Sequence, residues 1–96
     1  MSARPLPPDA HEPAAIAATI LRLCAARGPG KSVCPSEVAR ALAGPDETRW
    51  RRLMHAVREV AFDLAREGRI QVLRKGRPIA PGQARGVIRL AIVADW

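Results

Sequence analysis

Two groups of basic residues in the second half of the chain carry its most evident chemistry: Arg49, Arg51, Arg52 and His55, then Arg74, Lys75, Arg77 and Arg85. A guanidinium fork makes bidentate contacts with phosphate oxygens or with a guanine edge, and an ammonium meets phosphate as a point charge. His55 is accompanied by arginines rather than by an acid and a nucleophile. The pattern therefore points to anion recognition and away from proton transfer.

Net charge over the 96 residues is +7, and its distribution says more than its size. Residues 1–48 hold five basic and five acidic side chains, whereas residues 49–89 hold eleven basic side chains against Glu59, Asp63 and Glu67, a surplus of eight. A cationic half joined to a neutral half favours a polyanion partner, through counterion release and electrostatic steering. The competing explanation is a solvated basic surface in an arginine-rich composition. That accounts for fourteen Arg against two Lys, but not for their segregation.

Other classes find little support. Trp50, Phe62 and Trp96 are the whole aromatic set, too few for the stacked platforms of single-strand binders. Gly28-Pro29-Gly30-Lys31-Ser32 ends like a phosphate-binding loop but lacks the first glycine at the required spacing and a strand before it, so it reads as a turn. Ser36 reads as a capping residue, not a nucleophile. Cys24 and Cys34 stand ten apart without a histidine at metal-ligand spacing, which indicates neither a zinc site nor a disulfide framework. Cys24 reads as a small buried hydrophobe; Cys34 falls at a helix start, where a thiol pKa can drop. No catalytic residue, metal or cofactor is expected, and the chain is not read as an enzyme. Met1 to Pro13 has no apolar run of the signal-peptide kind, and no stretch approaches the roughly 20 apolar residues of a membrane span. A cytoplasmic protein without a membrane partner is the expectation.

The elements that must position the cations follow from periodicity and punctuation. Residues 1–12, with Pro5, Pro7 and Pro8, read as a disordered leader, and 13–96 as a single domain. Ile16, Ile20, Leu23 and Cys24 predict a first helix over 13–27, entered at Pro13 and broken by Gly28-Pro29-Gly30. Lys31 to Val33 could add one short strand. A second helix of about nine residues opens with Pro35 or Ser36 in its first turn and stops at Gly44-Pro45. Asp46 supplies an N-cap for a third helix over 47–67, with Trp50, Leu53, Met54, Val57, Ala61 and Leu64 as its apolar stripe and Gly68 as its stop. Beyond Gly68 the period becomes two. Ile70 and Val72 share one face of a strand, Ile88, Leu90 and Ile92 one face of another, and Gly76 to Arg85 forms a long loop with a mobile tip between them.

Helix, short strand, helix, tight turn, helix and hairpin is the order of a winged helix-turn-helix domain: α+β, mainly α, with three helices, a C-terminal β-hairpin wing and a short third strand at most. The third helix would be the recognition element and the hairpin loop the wing. The blocks VCPSEVARAL, WRRLMHAVREVAFDLAREGRIQVLRKGRPIAP and GVIRLAI also resemble the bacterial family catalogued as domain of unknown function 3253, whose members look like small winged-helix proteins. The resemblance covers about residues 14–92. It implies the fold and brings no activity and no functional residue with it.

On that layout Arg49, Arg51, Arg52 and His55 stand at the start of the recognition helix, where side chains reach a major groove, and Arg74, Lys75, Arg77 and Arg85 stand on the wing. Asp46 and Glu47 oppose an approaching phosphate there. Phe62 lies opposite the core stripe and Trp96 at the chain end, and each reads either as packed within the monomer or as an interface to a homodimer or protein partner. Two functional expectations follow. One is a winged-helix protein that binds double-stranded DNA, as transcriptional regulators do. The other is a winged-helix adaptor that binds protein through Phe62 and Trp96 and no nucleic acid.

Overall fold

A computed structural model describes residues 11–83 and 85–93. The expected leader and Trp96 therefore lie outside the described residues, apart from His11 and Glu12.

Helix α1 spans Pro13–Arg27, with Pro13 in its first turn, where a missing N–H costs nothing, and Gly28 closing it by donating to the Cys24 carbonyl at 3.0 Å. Helix α2 spans Pro35–Ala43 and is capped by Cys34. Pro35 occupies the first helical position, so Ser36 sits one place inside the helix rather than at its cap, and its hydroxyl lies 3.1 Å from the Cys34 sulfur. Glu37 completes the start: its Oε2 accepts from the Cys34 backbone N–H at 2.7 Å.

The long third helix of the sequence pattern is two helices. Asp46 caps α3, Glu47–Arg51, by accepting from the Thr48 N–H at 3.0 Å, and α4 runs over Met54–Arg66. Between them, Arg52 donates to Arg49 and Leu53 to Trp50, both three residues back, before Val57 returns to a partner four residues back at Leu53. The tightened turn changes the angular register. Leu53 at the joint is 0 % exposed, Trp50 is only half-buried, and Val60, which the uniform stripe leaves out, is buried at 8 %. At the far end, the Gly68 N–H donates to Ala65 and the Arg69 N–H to Leu64, with Gly68 at φ +77°; this paired cap turns the chain straight into the sheet.

Strand β1, Ile70–Arg74, is central, flanked by β2, Arg77–Pro78, and β3, Arg89–Ile92, in an antiparallel order β2-β1-β3. Ile70 pairs with Ile92 and Leu73 with Arg89 across one ladder, Leu73 with Pro78 across the other. Val33 adds a single isolated bridge to Leu90, exchanging bonds of 2.7 and 2.8 Å, so that of the short strand expected at Lys31 to Val33 only this one residue pairs with the sheet.

The expected loop from Gly76 is much more ordered than a long loop requires. Lys75 at φ +52° and Gly76 at φ +78° form a two-residue turn that sets Arg74 against Arg77. Positive φ at both central positions matches the twist of the flanking strands. Ile79 then donates to the Val72 carbonyl at 2.9 Å, and a 3-10 turn at Pro81–Gln83 packs on α4. Pro78, which cannot donate, is tolerated because β2 is an edge.

Ile16, Ile20 and Cys24 from α1, Val38 and Ala39 from α2, Leu53, Val57, Ala61 and Leu64 along the third-helix segment, and Ile70, Val72, Ile88 and Leu90 around the sheet form one core. Order and pairing make the chain α+β and mainly helical, with a small antiparallel sheet, consistent with a winged-helix-like fold. No helix among the described residues is long and apolar enough to cross a membrane.

Candidate nucleic-acid interface

The eight basic residues singled out in the sequence, seven of them Arg or Lys, fall into two groups on the folded chain. Arg51, Arg52 and His55 are exposed along α3 and the start of α4, with Arg49 half-buried beside them. Arg51 and Arg52 line a shallow concavity of about 520 Å3 together with Glu47 and Thr48. Arg74, Lys75 and Arg77 crowd the β1–β2 turn, and Arg85 stands exposed between the 3-10 turn and β3.

The first group is partly neutralised. Glu47 pairs with Arg51 one turn along α3, and the Arg51 guanidinium also lies 6.0 Å from the centre of the Trp50 ring. Arg40 of α2 covers the same indole at 5.4 Å and donates to the Ser36 carbonyl, so Trp50 ties α2 to α3 through its faces. Arg51 is the one candidate with a carboxylate partner among the described residues. Arg52, His55, Arg74, Lys75, Arg77 and Arg85 carry the exposed side chains of the surface, and Arg74, Lys75 and Arg77 stand within four positions of one another at the β1–β2 turn.

The sheet is fastened to α4. A turn of three residues separates α4 from β1, α4 packs against β1, and the Arg58 Nη1 donates to the Gly86 carbonyl at 3.1 Å. Arg58 also lies 5.6 Å over the Phe62 ring. Phe62 is thus half-buried and packed against the core, not bare on the outer face as the helical projection alone places it. The Arg58 guanidinium over its ring is what the projection lacks. Trp96, the other interface candidate, lies outside the described residues.

A second cluster escapes sequence reading because it joins distant segments. The Ser32 carbonyl accepts from Arg27 Nη1 at 2.7 Å and Arg89 Nη2 at 3.0 Å, while Arg89 Nε donates to the Ser32 hydroxyl at 2.6 Å. Arg27 Nη2 reaches Glu37 at 2.7 Å. The Cys34 backbone N–H, then the Arg27 guanidinium and the nearby Arg89 charge, hold the Glu37 carboxyl below the usual carboxylate range. This network fixes the turn between α1 and α2 to β3. Cys24 lies in the core at the end of α1, where burial pushes its thiol up to about 11. Cys34 is half-buried at the α2 cap.

A mainly helical domain with a three-stranded sheet and a basic surface on its second half is the class that fold and site define. Within that class the chain belongs to the family described as protein of unknown function (DUF3253), which matches residues 13–93, from the first residue of α1 to the residue after β3. No curated protein matches the chain.

Proposed function

We propose that this protein binds double-stranded DNA as a winged-helix module, with α3 and the start of α4 at the major groove and the β1–β2 hairpin along the adjacent backbone or minor groove. The observation that carries the reading is the surplus of eight positive charges in residues 49–89. The exposed side chains of Arg52, Arg74, Lys75, Arg77 and Arg85, with His55 beside Arg52, have no carboxylate within ion-pair distance among the described residues. Four acids, Glu37, Glu47, Asp63 and Glu67, are meanwhile each occupied by an arginine. Surface charge left over after such pairing is what counterion release acts on.

The hairpin supports the reading more strongly than the helix does. Glu47 dilutes the field at the start of α3, whereas the turn at Lys75-Gly76 sets the backbone positions from which Arg74, Lys75 and Arg77 project, and no carboxylate among the described residues pairs with them. With about five phosphates engaged, log affinity falls with log salt at a slope near −4 to −5. A gel-shift or fluorescence-anisotropy titration on mixed-sequence duplex DNA over a range of salt measures that slope; absence of binding at low salt would overturn the proposal.

A further inference from the structure

Among the described residues no helix covers the outer face of the small sheet. Along β1 and β3 the inward positions Ile70, Val72 and Leu90 are buried, while the paired Leu73 and Arg89 turn to the opposite side. A groove of about 460 Å3 opens there, lined by Ser32, Leu73, Arg74, Lys75, Val87 and Arg89. It continues into a second hollow of about 350 Å3 that shares Ser32 and Leu73 and reaches Lys31 and Pro78. Its size lies in the range of small-molecule sites, roughly 300–1,000 Å3, and its make-up of apolar walls with a few converging polar groups is theirs as well.

Three features decide what would occupy it. Among the described residues no Asp or Glu lines either hollow, whereas Lys31, Arg74, Lys75 and Arg89 do. Arg89 is held from two sides by the neutral oxygens of Ser32, at 2.6 and 3.0 Å, so its fork is oriented without being discharged. Its Nη1 takes no part in those bonds, and no carboxylate lies within ion-pair distance of it among the described residues. Val87 at the lip is 84 % exposed, the most exposed large apolar side chain among the described residues, and it contributes nothing to the core. Glu37 lies near enough to feel the Arg89 charge but beyond ion-pair distance and is itself paired with Arg27. A fixed guanidinium with a free Nη1 beside two apolar walls matches a ligand with an anionic head and an apolar body.

We infer that this groove is a binding site for a small organic anion, a carboxylate or sulfonate on a short apolar body. The head group meets Arg89, with Arg74 and Lys75 adding charge from the hairpin, and the body lies between Leu73 and Val87. The site is distinct from the helix group at α3, and the inference does not rest on the nucleic-acid reading, since binding is measured with no DNA present.

The test is a titration of the isotope-labelled protein with sodium octanoate at constant ionic strength, followed by amide chemical shifts, with acetate and octanol as comparators. Saturable shifts centred on Leu73, Val87 and Arg89 are expected for octanoate, with much weaker effects from acetate, which lacks the body, and from octanol, which lacks the charge. Arg89→Gln keeps an amide donor for Ser32 but removes the charge, and should weaken octanoate roughly tenfold or more. Val87→Ser, at a position with no packing role, should leave the fold intact and weaken octanoate about fivefold. Octanoate binding no better than octanol or acetate, shifts centred elsewhere, or equal affinity in wild type and Val87→Ser would each overturn the inference.

Discussion

Arg74 and Arg77 face each other across the two-residue turn at Lys75-Gly76, as directly opposed partners of the β1–β2 ladder. Like charges opposed across strands destabilise a hairpin, so the arrangement lowers the stability of the free protein and is relieved by an anion between or beside the two forks. Replacing both by Ala should therefore separate binding from folding. The salt slope of DNA affinity should fall in magnitude by about two, one for each phosphate that the variant leaves unneutralised. The melting temperature should stay level or rise slightly. Weaker affinity with an unchanged slope would show that neither arginine meets a phosphate.

Gly76 gives the turn its shape at φ +78°, and a Cβ there would meet nothing within 4 Å, so conformational strain is the whole cost of substitution. Gly76→Val should destabilise the domain by about 1 kcal/mol or more, seen as a melting temperature lower by roughly 4–8 °C per kcal/mol. Because the cations remain but their spacing is disturbed, DNA affinity should drop while net charge is unchanged. Unaltered affinity would show that charge alone, and not the turn, carries the interaction.

Glu37 links acid stability to the α1–α2 turn. Its folded pKa lies below the usual value because the Cys34 N–H, Arg27 and Arg89 favour the carboxylate. The stability it contributes is present above the unfolded pKa, near 4.5, and is lost as pH falls through the lowered folded value. Glu37→Gln should cost roughly 1 kcal/mol at neutral pH, because it removes a charged acceptor and its ion pair, and should flatten the acid limb of a stability–pH profile. A variant whose acid limb matches that of wild type would contradict this assignment.

The two thiols should behave differently. Cys24, buried with its pKa raised to about 11, should resist a disulfide reagent at pH 8 until the protein unfolds, whereas the half-buried Cys34 should react in the native state. Since only the unfolded chain ionises Cys24 freely, stability should decline as pH rises from the ordinary thiol value of 9.0 toward 11. Two native-state thiols of equal reactivity would contradict the burial.

Helix ends are legible in the sequence because their signals are local. Pro13, Gly28, Pro35, Gly44, Asp46 and Gly68 each act within a turn of their own position, and the boundaries of α1 and α2 follow from them. The joint between α3 and α4 carries no such mark. It follows from the burial of Leu53, a tertiary effect that shifts two hydrogen bonds by one residue without Gly or Pro. The turn at Lys75-Gly76 is hidden for a different reason, since a lysine at positive φ is unusual and Asn or Asp is the customary signal there. The basic character of the site is readable, and so is the Glu47–Arg51 spacing that discounts one arginine. The anchoring of Arg89 to Ser32, 57 residues away, is not.

Arg58 is the sharpest test of which arginines hold the protein and which hold its partner. Sequence places it on the flank of the same helix as the candidates, with the same charge. The structure commits it inward: Nη1 reaches the Gly86 carbonyl across 28 residues, and its guanidinium lies over Phe62. A residue so engaged ties the segment before β3 to α4, and under the proposed DNA binding it leaves phosphate contact to other arginines. Arg58→Ala should therefore weaken DNA binding through a looser wing while leaving the salt slope within error of wild type. Amide exchange at Gly86 to Ile88 should accelerate in the same variant. Arg77→Ala should show the reverse, a slope reduced in magnitude by about one with unchanged exchange at those amides. A slope reduced equally in both variants would place Arg58 among the phosphate-binding residues and break the division between anchoring and binding arginines.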